Sequence, residues 1–167
     1  MPSDLDEALP FCEKAIALKP TFAEAHVNLA SVLNDLRRHE DAMVAADRAL
    51  ALNPKLVVAH LARATALRML SRLEDGKATC RRALQLNPES AEAHVHLGNL
   101  HLELAEFEEA TRCFDRAIAL KPQIAEAHLG KSLPLLLQGK LTEGFQCFEW
   151  WRKLRDAPLR KLDPAKL

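Results

Sequence analysis

The sequence predicts an all-α fold, an α-solenoid built from antiparallel helix pairs. Three observations support this prediction: prolines and histidines recur every 34 residues, apolar residues follow helical spacing within each step, and helix-forming residues dominate the composition. The recurring residues are Pro20, Pro54, Pro88 and Pro122, and His26, His60, His94 and His128. One structural repeat therefore recurs along the chain, and we expect about nine helices.

The composition is typical of a folded chain. Apolar residues make up 49% and charged residues 28% of the 167 residues, and acidic and basic side chains balance at 23 each. A net charge of zero removes the basic excess that nucleic-acid binders carry, and no apolar run is long enough to cross a bilayer. The first residues lack the regions of a signal peptide. We therefore expect a cytoplasmic protein that binds neither nucleic acid nor membrane, provided that no targeting segment precedes this sequence.

Each repeat is predicted to consist of a helix, a short turn, a second helix and another short turn. In the repeat 23–56, apolar side chains at helical spacing precede a charged turn, and Pro54 ends the apolar-periodic segment that follows. Connections this short make neighbouring helices antiparallel. The predicted helices cover 5–18, 23–36, 41–52, 57–70, 75–86, 91–104, 109–120, 125–138 and 143–155.

The predicted array covers residues 1–158 and is followed by a C-terminal tail. A half repeat at 1–22 contributes a lone second helix. The complete repeats are 23–56, 57–90, 91–124 and 125–158, and the tail is 159–167. The last repeat departs most from the others, because Pro134 should kink its first helix and Trp151 replaces a small residue. The small residues at this position in the other repeats are Ala49, Ala83 and Ala117.

These residues and their 34-residue step resemble the tetratricopeptide repeat over nearly the whole chain. Repeat 91–124 shows the family pattern best, with His94, Leu97, Gly98, His101, Ala110, Phe114, Ala117 and Pro122. The position of the family's tryptophan is histidine in all four repeats, and two repeats replace its leucine by Arg63 and Lys131. The resemblance implies a right-handed superhelix whose first helices line a concave groove for peptides or partner proteins.

The last repeat carries a second resemblance. Its residues Gly144, Phe145, Phe148, Glu149 and Trp150 are similar to the last repeat of bacterial proteins in which tetratricopeptide repeats precede a glycosyltransferase-like domain. This resemblance implies a repeat region that serves a catalytic domain outside the present sequence.

The residues do not favour catalysis or metal binding within the chain. Equivalent positions of successive repeats should lie about 10 Å apart, so the four repeat histidines cannot share one zinc ion, whose ligands lie about 2 Å from it. We expect each to replace an aromatic residue at a helix contact. No phosphate loop, dinucleotide fingerprint or nucleophile motif appears. We therefore predict no enzyme activity, no metal and no cofactor. Four cysteines are expected as buried apolar residues rather than disulfides: Cys12, Cys80, Cys113 and Cys147.

The remaining hypothesis is a binding surface on the first helices. Residues spaced by three and four form a stripe on one face of each first helix. The stripe is acidic at the helix starts and apolar further along, so it suits a peptide or partner protein with apolar and some basic side chains. Its alternative is a solvated groove without a partner. With Asn28, the only asparagine among the four positions that form an asparagine ladder in sugar-transferase relatives, the predicted residues are Glu24, Val27, Ser31, Asn34, Val58, Leu61, Thr65, Arg68, Glu92, Val95, Asn99, Leu102, Glu126, Leu129, Leu133 and Leu136.

A rival hypothesis is self-assembly through the open ends of the array. The half repeat at 1–22 has a helix face that lacks its first-helix partner, and pairing of such ends between chains would bury it. The chain would then form homo-oligomers. The candidate interface residues are Leu5, Leu9, Phe11, Trp150 and Trp151.

Overall fold

The computed structural model describes the backbone of residues 4–156 and the side chains of residues 8–153. Within that range the chain forms nine α-helices and no strand, which confirms the all-α prediction and the expected number of helices. The predicted tail at 159–167 lies outside the described residues. The helices are α1 (Asp4–Leu18), α2 (Ala23–Asp35), α3 (His39–Leu52), α4 (Val57–Met69), α5 (Leu73–Leu86), α6 (Ala91–Glu103), α7 (Phe107–Leu120), α8 (Ala125–Leu137) and α9 (Leu141–Asp156).

The chain divides into an N-terminal unit, residues 1–88, and a C-terminal unit, residues 89–167. In the N-terminal unit, each helix from α1 to α5 packs on the next, and α2 also contacts α4. In the C-terminal unit, each helix from α6 to α9 packs on the next, and α6 also contacts α8. The first helices of successive repeats therefore touch one another within each unit.

The second helix of each repeat begins two residues earlier than the sequence predicts. Helices α3, α5, α7 and α9 start at His39, Leu73, Phe107 and Leu141, whereas the predicted starts were 41, 75, 109 and 143. The second helices begin earlier because the turn between the two helices of a repeat is compact. The first helix ends in a motif that needs only three residues before the next helix begins.

This turn is a Schellman motif that recurs in all four repeats. One residue of each turn adopts a left-handed conformation, with φ between 57° and 75°. The next residue donates its N–H to a carbonyl five positions earlier at 2.8–2.9 Å. These bonds satisfy carbonyl groups that the end of a helix otherwise leaves without a donor. The left-handed residues are Arg37, Ser71, Ala105 and Gly139.

A hydrogen bond joins the two residue types that recur along the sequence. A carbonyl oxygen only accepts, so the Nε2–H of the histidine in three of the repeats donates to the proline carbonyl six positions earlier. The ring thereby ties the first helix to the loop that precedes it, which adds a specific role to the expected packing role. The observed pairs are His26 and Pro20 at 3.0 Å, His60 and Pro54 at 3.0 Å, and His128 and Pro122 at 2.9 Å.

Small side chains build the contacts between each second helix and the following first helix. Ala49 packs with Val27 and Ala59 in the N-terminal unit, and its equivalent Ala117 packs with Ala127 in the C-terminal unit. Ala49, Ala83 and Ala117 are all fully buried, as their recurrence at one position of the repeat predicts. Close approach of the helices therefore depends on side chains no larger than a methyl group at this position.

Phe114 is the largest fully buried side chain, and it lies against two glycines. A methyl group added to Gly98 of α6 would lie 2.8 Å from the phenyl ring, and one added to Gly130 of α8 would lie 2.5 Å from it. The ring of this one residue on α7 thus uses the space that both first helices leave open.

We expect Ala105→Gly to raise the free energy of unfolding by about 0.5–1 kcal/mol, because glycine adopts the left-handed conformation without the steric cost of a Cβ atom. Gly139→Ala should lower it by a similar amount. Urea denaturation measures both changes. The control is Ala78→Gly in the exposed interior of α5, which should destabilise by about 1 kcal/mol. Equal destabilisation by the two Ala→Gly changes would contradict the role of the left-handed turn.

We expect Gly130→Ala to destabilise the protein by about 1–3 kcal/mol, because the added methyl group overpacks the ring of Phe114. Combining it with Phe114→Leu should cost less than the sum of the two single changes, since the smaller side chain makes room. Thermal unfolding of the four variants of this cycle measures the coupling. Strict additivity would show that the two residues do not compete for the same space.

Candidate partner-binding site

The predicted stripe runs along α2 and α4 in the N-terminal unit and along α6 and α8 in the C-terminal unit. Most of its side chains are exposed or half-buried, but Val27 and Val95 are buried. Val27 packs with Ala49 and Ala59, and Val95 packs in the cluster around Ala117. The structure therefore places these two valines beneath the surface, where they support the stripe.

Polar groups of the stripe in the N-terminal unit already bond within that unit. The Nδ2 of Asn34 donates to the carbonyl of Ala62 at 3.0 Å, and its Oδ1 lies 3.3 Å from Nδ1 of His39. The hydroxyl of Thr65 donates to the carbonyl of Leu61 at 3.1 Å. Asn34 thus joins α2 to α4, a role that the sequence pattern did not suggest.

The C-terminal unit contains an apolar cleft of about 580 Å³ between α6, α8 and α9. Its walls combine residues of the predicted stripe with two aromatic side chains of α9, whose rings lie 5.3 Å apart. The sequence pattern predicts Trp151 at an end-to-end interface and predicts no binding role for Phe148. The principal lining residues are Asn99, Leu102, Glu126, Leu129, Leu133, Leu136, Phe148 and Trp151.

The cleft exposes side chains at positions that other repeats bury. Phe148 is 41% exposed, whereas its equivalents Ala46, Cys80 and Phe114 are fully buried. Leu129 is 39% exposed, whereas its equivalents in α2 and α6 are buried. Helix α4 covers α3 and helix α8 covers α7, but no helix follows α9 within residues 4–156. The cleft therefore lies where the first helix of a further repeat would pack.

Three polar side chains, Asn99, Ser132 and Glu126, line the cleft, and the charge of Glu126 bears most on the ligand that the cleft favours. The hydroxyl of Ser132 donates to the carbonyl of Leu129 at 2.6 Å and is thus satisfied. The carboxylate of Glu126 lines the cleft, and among residues 8–153 it has no hydrogen-bond or ion-pair partner. An acidic group beside apolar walls favours a ligand that carries both apolar and basic side chains.

Ion pairs join first helices to the preceding second helix where the family pattern has leucine. The Nε of Arg63 lies 2.6 Å from Oδ1 of Asp47, and the Nζ of Lys131 lies 2.6 Å from Oδ1 of Asp115. Burial alone would lower the pKa of Lys131, but its hydrogen bond to Asp115 and the surrounding negative charges outweigh burial and raise that pKa. The lysine therefore stays charged in this contact.

The equivalent acidic position on α9 is Glu149. Its carboxylate lies 3.4 Å from Nη2 of Arg152 on the same helix, and both side chains are more than half exposed. Such a pair contributes little because water screens it. Glu149 can thus form an ion pair with an incoming basic group at low cost.

The residues predicted for an end-to-end interface have different environments. Leu9 packs against the core of the N-terminal unit, and Phe11 is exposed. Trp150 stacks on His128, with ring centroids 4.9 Å apart and planes within 7° of each other. Trp151 lines the cleft. The side chain of Leu5 lies outside the described residues.

Other reactive groups do not form a site in the described part of the chain. No group of three or more His, Cys, Asp or Glu side chains there is arranged to hold a metal ion. Burial raises the pKa of the Cys12 and Cys147 thiols, which makes them poor nucleophiles at neutral pH. No helix between residues 4 and 156 is long and apolar enough to cross a bilayer.

Known proteins share this architecture. A family model described as tetratricopeptide repeat matches residues 3–66 and 67–132, and a search of curated proteins gives no match. A thermophilic tetratricopeptide-repeat protein of Thermus thermophilus is 24% identical, with 92% of this chain and 84% of that chain covered and a TM-score of 0.84. MamA is 20% identical, with 94% and 92% covered and a TM-score of 0.75. YrrB, described as having an unusual peptide-binding site, is 20% identical, with 98% and 84% covered and a TM-score of 0.66. At these identities the likeness shows the fold alone.

Proposed function

Because the chain belongs to the tetratricopeptide repeat family, we propose that it is a non-catalytic protein-interaction scaffold whose cleft in the C-terminal unit binds a segment of a partner protein. One observation carries the proposal, namely that large apolar side chains are exposed together in one depression. Phe148 and Leu133 are 41% and 47% exposed at its walls. Large apolar groups gathered in this way mark interaction sites on soluble proteins.

The dimensions of the cleft suit a few large side chains. Its volume of about 580 Å³ lies within the range of roughly 300–1,000 Å³ that ligand sites occupy. Each apolar side chain that becomes fully buried contributes about 1.5–3 kcal/mol before the costs of association. Phe148 and Trp151 form the aromatic wall at which such contacts concentrate the binding energy.

The negative charge of Glu126 at the rim favours apolar partners that also carry a basic residue. The carboxylate of Glu126 lies beside the cleft and attracts a basic residue of the partner. A partner segment with two or more large apolar residues and one lysine or arginine therefore matches the site. The stripe of the N-terminal unit is less suited, because the Asn34 amide already bonds within that unit.

Several features support a non-catalytic function. The family assignment rests on a repeat whose residues serve packing, and the thiols of Cys12 and Cys147 have raised pKa values. The resemblance of the last repeat to repeats that precede a glycosyltransferase-like domain stays a prediction. It would make the same cleft a contact surface for another part of a larger protein.

We expect Leu129→Glu combined with Leu133→Glu to abolish binding of peptides that are selected on the wild-type protein from a random library. Two carboxylates in the cleft would lose their hydration on binding. Binding is measured by fluorescence anisotropy, and circular dichroism checks that helicity persists. The matched control is Leu137→Glu, on the same helix and 60% exposed but outside the cleft, which should leave affinity unchanged. Selected peptides that bind the double variant as tightly as the wild type would exclude the cleft as the site.

Self-assembly is a second candidate function, favoured by apolar side chains on α1. Phe11 and Leu18 are 73% and 79% exposed. Pairing of these side chains between copies would bury them, so we expect dimers or larger species in solution and a shift toward monomer on Phe11→Ser. Light scattering after size exclusion measures the mass. A strict monomer at high protein concentration would rule this function out.

A further inference from the structure

We propose that the partner segment is an α-helix that takes the position of the next first helix, and that it carries the pattern small-x-x-small-basic on the face toward α9. This inference rests on the proposed function, since it names the ligand of the same cleft. Three contacts place a first helix on the preceding second helix within one unit, and two of them show this pattern, whereas α2 on α1 has Ala25, Asn28 and Leu29 at the equivalent positions. The two contacts that share the pattern show one chemistry by which a second helix is covered.

The first contact is that of α4 on α3 in the N-terminal unit. Ala59 packs with Ala49 of α3 and Val27 of α2. Three residues further along, Ala62 packs in the cluster that contains Ala46. The next residue, Arg63, forms an ion pair with Asp47 of α3 at 2.6 Å, as described above. The covering face of α4 is therefore Ala59-x-x-Ala62-Arg63.

The second contact is that of α8 on α7 in the C-terminal unit. Ala127 packs in the cluster that contains Ala117 of α7 and Val95 of α6. Gly130 leaves room for the ring of Phe114. The basic residue that follows is Lys131, which pairs with Asp115 of α7. The covering face of α8 is therefore Ala127-x-x-Gly130-Lys131.

Helices α8 and α9 present residues at the equivalent positions, without a covering helix in the described residues. Leu129 and Trp151 are the equivalents of Val95 and Ala117, which pack with the first small residue of α8. Phe148 is the equivalent of Phe114, which lies against the second small residue. Glu149 stands where Asp115 receives the basic residue. These three apolar side chains and the carboxylate of Glu149 therefore favour a partner helix with the same pattern of two small residues and one basic residue.

The aromatic side chains of α9 leave little space, so the partner helix needs small residues where it faces them. Phe114 shows that an aromatic ring at this position contacts the first helix of its own repeat and the first helix of the next, each through a glycine. In the last repeat, the equivalent of Gly98 is the buried Ser132, which leaves less space on that side. We therefore expect alanine or glycine opposite Phe148.

Other occupants fit the cleft less well. The residues that follow α9 in the sequence place Lys161, Pro164 and Ala165 at the positions of Ala127, Gly130 and Lys131, so they lack the pattern. In a second copy, helices α4 and α8, which carry the pattern, are already packed on their neighbours. A helix of another protein is therefore the favoured occupant.

The test uses as its probe an acetylated and amidated peptide of residues 54–71 of this chain, which contains Ala59-x-x-Ala62-Arg63 and no tryptophan. The full chain has only Trp150 and Trp151, so its intrinsic fluorescence reports on α9. We expect saturable binding with a change in that fluorescence and a gain in peptide helicity. A scrambled peptide of the same composition is the control and should not bind.

Changes in the probe and the protein test each part of the pattern. Ala62→Leu in the peptide should weaken binding at least about 5-fold, because the larger side chain overpacks Phe148. Arg63→Glu in the peptide should weaken it about 2- to 5-fold, and Glu149→Lys in the protein should restore it. Arg152→Gln, beside Glu149, is the matched protein control and should not restore binding of the Arg63→Glu peptide.

The outcomes separate this inference from the proposed function. The inference is overturned if the wild-type peptide does not bind, if the scrambled peptide binds equally well, or if the peptide variant Ala62→Leu binds as tightly as the wild type. The proposed function still stands in any of these cases if the library-selected peptides lose binding to the Leu129→Glu, Leu133→Glu double variant. Binding of the peptide that persists in that double variant would place the helix outside the cleft.

Discussion

Helices α3 and α7 are buried because the next first helix approaches each of them with small side chains. This single steric condition governs the alanines on α3 and α7, the two glycines around Phe114 and the small residues on α4 and α8. It also explains the cleft, because the condition is unmet at α9 within the described residues. The same kind of contact therefore explains both the core and the candidate site. Small residues of α4 and α8 cover α3 and α7, and no helix covers α9 in the described residues.

The hydrogen bond between histidine and proline makes this approach reproducible. Each proline ends a second helix, and its carbonyl would otherwise need a donor from solvent. The ring of the buried histidine supplies that donor from the first turns of the following helix, as in His60 and Pro54. The loop is thereby fixed in length and direction, and the small residues next to these histidines, such as Ala59, reach their contacts. The proline and the histidine that recur every 34 residues in the sequence are thus the two partners of one hydrogen bond in the structure.

The periodicity of the sequence predicts the features that recur in every repeat, whereas features that depend on the packing of neighbouring helices are not visible in it. The number of helices and the burial of Ala49 and its equivalents follow from the 34-residue step. The early start of the second helices does not, because Arg37, Ser71 and Ala105 give no glycine signal for a left-handed turn. The helical spacing predicts the same stripe in every repeat, yet Val27 is buried beneath a covering helix whereas Leu129 is exposed. Phe148 had no binding role for the same reason, since only the arrangement of α8 and α9 brings it into the cleft.

The position of Phe114 has a consequence for cooperativity. In an array of repeats, a terminal helix pair can open while its neighbours stay folded, provided that the interface between them is weak. Here one ring on α7 fills space at α6 and at α8 together, so opening of α8 would remove the contact of the ring with Gly130 and expose the ring to water. Local opening at the end of the C-terminal unit is thereby linked to its interior. A single aromatic residue thus couples three helices, so that they are expected to unfold together.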